Sequence, residues 1–232
     1  MTVALWRRVI AEFTGTALLV AVVVGSGIAA SRLSPSDPGL QLLENSTVTA
    51  FGLAVLILAF GPVSGAHLNP VVSAAEWVLA RRTVGGMSGS DLLAYAAAQT
   101  TGAIGGAILA DAMFDVRVVD WSTHDRSDRH LLLGEVVATA GLVFLIFSLA
   151  RAGNANLAAP AVGAYIGAAY WFTSSTSFAN PAVTVGRAFT DTFAGIEPSS
   201  VPGFIGAQGV GALVGLGLLV VLYPVIERAG PA

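Results

Sequence analysis

Residues 64–72 read SGAHLNPVV and residues 176–187 read TSFANPAVTVGR. Each sets an Asn directly before a Pro and follows it with an apolar run. Asn is among the best N-cap residues, because its side-chain oxygen accepts a hydrogen bond from a backbone N–H of the first turn. Pro suits the next position, where its missing N–H has no helical partner to lose. Asn69-Pro70 and Asn180-Pro181 are therefore two helix starts of one kind. The segments they open, 69–80 and 180–193, cover roughly 15–20 Å at 1.5 Å per residue, about half a bilayer core. Asn-Pro alone is also an ordinary turn signal, so the surroundings of the two copies must decide.

Those surroundings are a membrane protein's. Of 232 residues 55% are hydrophobic and only 11% charged, against about 25% charged in an average soluble chain. Six segments have the length and apolarity to cross a bilayer: about 8–31, 45–61, 91–113, 132–151, 157–174 and 203–225. The first follows Arg7 and Arg8 as a signal peptide would, but its apolar run is longer than a signal core and carries Glu12, so it reads as a retained span. With six spans assigned, 69–80 and 180–193 are left over. Non-helical backbone at membrane depth survives only where protein buries it or where it lines a watery cavity. The two segments thus read as re-entrant half-helices.

The halves of the chain repeat around them. AEFTGT (11–16) matches GEVVAT (134–139), which sets Glu12 opposite Glu135; NPVV matches NPAV; AQTTGAIGGA (98–107) matches AQGVGALVGL (207–216), which sets Gln99 opposite Gln208. Each half, about 1–115 and 130–232, reads span, span, half-helix, span, within a single channel domain over 1–232. Three spans is an odd number, so the second half enters from the opposite side. The expected fold is all-α with an inverted 3+3 repeat. Such repeats hold a solute path at their interface near mid-membrane. Half-helices entering from opposite faces meet tip to tip there. Each tip carries about half a positive charge and an Asn whose amide NH2 stays free, with two donors. A polar neutral solute can accept those bonds, and a cation is repelled.

These residues resemble the major intrinsic proteins, the aquaporins and glycerol-conducting aquaglyceroporins, over essentially the whole chain. The resemblance implies a six-span channel, a homotetramer with one pore per subunit, with Asn69 and Asn180 at the pore constriction and Glu12 and Glu135 supporting the loops. The first motif is Asn-Pro-Val where the family usually has Asn-Pro-Ala. The larger departure is Val183. In the family an Arg stands three residues after the second Asn and forms the outer selectivity filter. Here Arg187 lies one turn beyond, where it would line an outer vestibule. The remaining filter positions implied are Ser177, Tyr170 in preference to Ala168, and Phe51 in preference to Thr49. The missing Arg resembles a bacterial branch associated with arsenic-resistance operons.

With no Cys and no cluster among the three His, neither a thiolate nor a metal site is expected, and nothing points to a cofactor, an enzyme or a nucleic-acid partner. His67 reads as packing beside the pore and supporting its loop, with pH gating as the alternative. Glu76 is expected at the cytoplasmic side, and Asp111, Asp115, Asp120, Asp125 and Asp128 as a solvated loop. An intramembrane carboxylate is functional by default, so a proton-coupled transporter using Glu12 and Glu135 stays open, as does a non-conducting structural protein. Conduction of water, glycerol-like polyols or metalloid acids such as arsenite is the leading reading. With both termini cytoplasmic in the cell membrane, Arg7, Arg8, Arg81, Arg82, Arg151 and Arg228 fall inside and the other five Arg outside, a weak positive-inside bias.

Overall fold

The computed structural model describes residues 3–81 and 86–223; Arg82 and Arg228 lie outside them. The described residues form eight α-helices and no strand: α1 Leu5–Leu33, α2 Pro38–Ser64, α3 Pro70–Ala80, α4 Gly89–Met113, α5 Arg129–Arg151, α6 Ala158–Phe172, α7 Pro181–Arg187 and α8 Val201–Leu222. Five of them, α1, α2, α4, α5 and α8, are long and apolar enough to span a bilayer. The fifth expected span, α6, has 15 residues, about 22 Å of helix, and follows a short 3-10 turn at Ala155–Leu157. Helix α2 starts earlier than its apolar run suggests, because Asp37 caps it by accepting from the Leu40 N–H at 2.9 Å. Helix α7 stops at Arg187, six residues short of the expected end.

Each half is built on one close crossing, α1 with α4 and α5 with α8. Small residues make these possible: a Cβ on Gly106 would strike the carbonyl oxygen of Ala17, and one on Gly215 would lie 2.5 Å from that of Ala140. Backbone oxygens cannot move aside, so the helices touch backbone to backbone, as helices in lipid commonly do. Side chains such as Val55, Leu93, Leu133, Leu213 and Val221 point outward, 61–75% exposed apart from any partner or lipid. That apolar exterior suits a hydrocarbon solvent.

Helix order fixes two faces. At the first, Arg8 of α1 pairs with Asp91 of α4 at 3.1 Å, and Tyr95 donates to the Ser64 carbonyl at the end of α2, 2.9 Å. At the second, Arg32 donates to the Phe114 carbonyl, 2.6 Å, Trp171 to Ser46 Oγ, 3.1 Å, and Ser174 to the His130 carbonyl, 2.7 Å. Helix α3 runs from the bundle centre to the first face and α7 from the centre to the second.

Asp111 is not in a solvated loop. It is fully buried in the last turns of α4 and accepts from Thr190 Oγ1 at 2.8 Å, fastening α4 to the segment that follows α7.

Candidate pore

The two loops that lead into the half-helices carry the same backbone conformation. Ala66 and Leu68 have φ of 47° and 50°; their counterparts Ser177 and Ala179 have 52° and 47°. Left-handed geometry at a non-glycine residue is disfavoured by roughly 1–2 kcal/mol, so something must hold it. Glu12 and Glu135 provide the hold. Glu12 accepts from the His67 and Leu68 backbone N–H groups at 3.0 and 2.7 Å, and from Ser64 Oγ at 2.6 Å. Glu135 accepts from the Phe178 and Ala179 N–H groups, both at 2.9 Å. Gln99 and Gln208 complete the pattern: each donates to its own half's carboxylate, at 2.7 and 2.6 Å, and to a hydroxyl four residues past the Asn, Ser73 at 3.1 Å and Thr184 at 2.9 Å. Both glutamates are fully buried, and neither lines the central cavity.

The tips meet as expected, but their donors are not all free. Asn69 Oδ1 caps α3 through the Val71 N–H at 3.0 Å, and Asn180 Oδ1 caps α7 through the Ala182 and Val183 N–H groups at 3.0 and 3.2 Å. Asn69 Nδ2 donates to the Ala179 carbonyl at 2.8 Å, and Asn180 Nδ2 to the Leu68 carbonyl at 2.7 Å. Each amide thus clasps the opposite loop with one hydrogen and keeps one N–H, where two free donors were expected.

A cavity of about 240 Å³ runs past both Asn side chains. Its middle is apolar, with Leu19, Leu53, Leu142, Val162 and Ile166 among its walls. Thr49, Tyr170, Ser177, Val183 and Arg187 line it toward the second face, His67 and Glu76 toward the first. Phe51 does not belong to it. Its ring is 71% exposed on the outer surface of α2, while Thr49 is 2% exposed, lines the cavity and lies 3.3 Å from the Tyr170 hydroxyl. Two residues along a helix is about 200°, which puts Phe51 on the outer side of α2 and Thr49 on the inner side, against the expectation.

The His67 ring bonds two residues of α3. Its Nε2 lies 2.6 Å from Glu76 Oε2 and its Nδ1 2.9 Å from Ser73 Oγ. Arg187 is 3% exposed, too buried for an open vestibule. Its guanidinium lies 3.4 Å over the Phe178 ring, and Nε donates to the Ala194 carbonyl. No group of three or more metal-ligating side chains occurs among the described residues. Sequence reasoning missed Ser64, Ser73 and Thr184, although counting five back or four forward from each Asn finds Ser64 with Ser175 and Ser73 with Thr184.

The family model for the major intrinsic proteins matches residues 1–177, ending just before the second Asn-Pro. The chain is 46% identical over 232 residues to Aquaglyceroporin AqpS of Rhizobium meliloti (strain 1021), covering 98% of this chain and 96% of that one. It is 31% identical over 231 residues to the Glycerol uptake facilitator protein of Pseudomonas aeruginosa, covering 87% and 80%. The X-ray structure of the aquaglyceroporin from Plasmodium falciparum shares the fold, with a TM-score of 0.71 over 94% of this chain and 97% of that one at 19% identity. The protein belongs to the major intrinsic protein family, whose members are membrane channels and not enzymes.

Proposed function

We propose that the protein is a passive channel for small uncharged solutes: water, glycerol-like polyols and metalloid acids such as arsenite. The observation that carries this reading is the pair of reciprocally clasped amides, Asn69 and Asn180, beside one cavity, each with an N–H to spare. A solute shedding water at this constriction finds two donors there and apolar walls for its carbon or metalloid face. Relatives named for glycerol uptake and as an aquaglyceroporin support the solute class. Thr49, Tyr170, Ser177 and Val183 form the filter toward the second face, and Val183 leaves open the space an Arg would fill. Glu12 and Glu135 hold the loops; their oxygens are engaged by backbone and Gln donors away from the cavity, which speaks against a proton relay.

In this reading the first face, with Arg7, Arg8, Arg81 and Arg151, is cytoplasmic in the cell membrane. The halves 1–115 and 130–232 form one channel domain, and four copies assemble as a homotetramer.

Stopped-flow light scattering on proteoliposomes tests it. Glycerol, urea and arsenite are each driven across the membrane by an osmotic step. Glycerol flux should exceed that of empty vesicles, rise linearly with the gradient and ignore a protonophore. Saturable uptake abolished by the protonophore would instead support a transporter, and flux equal to empty vesicles a non-conducting protein.

A further inference from the structure

The internal two-fold relates more than the loop supports. His67 and Phe178 each stand two residues before their Asn, Glu76 and Arg187 each seven after it, and Tyr95 and Phe204 each four before their Gln. These six residues make the same construction twice. The His67 ring meets Tyr95 edge-on, with centroids 5.3 Å apart at 65°, and Phe178 meets Phe204 at 5.1 Å and 69°. Each ring of the first pair then holds the charged side chain from seven past the Asn: His67 binds Glu76 at 2.6 Å, and Phe178 stacks under Arg187 at 3.4 Å. The construction is conserved between the halves and the sign of the charge is reversed.

Both charges reach the cavity, at its opposite ends. Helical side chains lean toward the N-terminus of their helix, here toward the pore centre. Arg187 thus reaches Phe178 and Glu76 reaches His67, each contact standing two residues before its Asn. Among the described residues Arg187 has no carboxylate partner, and its terminal nitrogens donate to no protein group. Glu76 Oε1 likewise has no hydrogen-bond partner there, and its side chain is 44% exposed. A neutral imidazole with its proton on Nε2 satisfies both His67 contacts, donating to Glu76 and accepting from Ser73. That arrangement leaves the carboxylate with no cation bonded to it; the nearby Arg8 guanidinium is paired with Asp91 at 3.1 Å.

We propose that Glu76 and Arg187 form a two-pole charge filter, in which the guanidinium turns back cations at one end of the pore and the carboxylate turns back anions at the other. The proposal rests on the channel reading above. A fixed charge in a narrow passage with low-dielectric walls raises the barrier for ions of its own sign and lowers it for the opposite sign. Arg187 alone would favour anions. With opposite charges in series, an ion of either sign meets one barrier that its attraction to the other pole does not remove. Uncharged solutes meet neither.

The test is sign-resolved ion leak in proteoliposomes, with sodium and nitrate as probes at a clamped membrane potential. Glu76→Gln should raise nitrate leak by roughly tenfold or more with sodium leak unchanged, and Glu76→Arg should raise nitrate further. Arg187→Gln should raise sodium leak and not nitrate, while Arg187→Lys stays tight to sodium. Because Arg187 is buried, its Gln variant can fail to assemble; the Glu76 variants then decide alone. No nitrate leak in Glu76→Gln, or equal leak of both ions in either Gln variant, overturns the proposal. Glycerol flux of the wild-type protein in the same vesicles reports separately on the channel reading.

Discussion

The chain leading into each half-helix and the chain leaving it follow different rules. Before Asn69 and Asn180 the halves are near-copies down to single hydrogen bonds: left-handed residues one and three before the Asn, a carboxylate on two loop N–H groups, a Gln behind it. Beyond the Asn they part. Helix α3 runs 11 residues and α7 only 7. The chain after α7 is pinned instead by its own contacts, Ser122 N–H to the Ala188 carbonyl at 3.1 Å, Thr190 to Asp111, and Thr123 N–H to Asp191 at 2.8 Å. Deep in the membrane a backbone group must find a protein partner or face the pore, and both halves arrive at one solution. Nearer the faces water relaxes that demand, and the halves are free to differ in length, in charge and in what they admit.

The equivalence of the two loop supports is tested most severely at the carboxylates. Glu12→Gln and Glu135→Gln each replace an acceptor of several donors with an amide that offers its own N–H groups to them. Hydrogen bonds to a charged group contribute roughly 1.5–3 kcal/mol each, so each variant should lose folded yield and lower the unfolding temperature by a similar amount. Detergent-solubilised thermal unfolding measures this. A large loss in one variant and none in the other would show that the supports are not equivalent.

At the second face, Thr49→Phe should cut glycerol permeability about tenfold, a barrier change of about 1.4 kcal/mol, while Phe51→Ala should change it less than about twofold. Stopped-flow rates normalised to protein density give both values, and the reverse order would return Phe51 to the pore. A smaller effect is expected at Asp191. The Thr123 backbone N–H, its hydroxyl and nearby His124 hold this carboxyl below its ordinary pKa. Its contribution is present above the unfolded-state pKa and is lost as pH falls through the lower folded one. Amide exchange at Thr123 should therefore speed up only in acid, and in Asp191→Asn it should be fast already at neutral pH.

Much of this fold was legible because polar residues stand out in an oily chain. Two Asn-Pro pairs, two Glu and two Gln in matching order were enough for an inverted repeat and its meeting point. Rotation about a helix axis was not legible in α2, which is apolar on nearly every side; Thr49 and Phe51 both fit the sequence, and only packing against Tyr170 separates them. The end of α7 was hidden too. Thr-Val-Gly-Arg-Ala-Phe carries no Pro and continues the apolar run, and the helix stops where Arg187 turns to the Ala194 carbonyl and Thr190 to Asp111. Asp111 itself looked like the first of a string of loop acids, because its Thr partner lies 79 positions away. The pairing of Glu76 with Arg187 was visible by counting from each Asn, but opposite charges do not look like a repeat.

On the proposed reading, neutral solutes cross by this cavity and Val183 keeps its second end wide. Val183→Arg would add a planar, permanently charged fork four residues, one turn, before Arg187. The measurement is the ratio of glycerol to water permeability in wild-type and Val183→Arg vesicles at equal protein density. The ratio should fall at least about tenfold, with water flux reduced far less. An unchanged ratio would place Val183 outside the solute path.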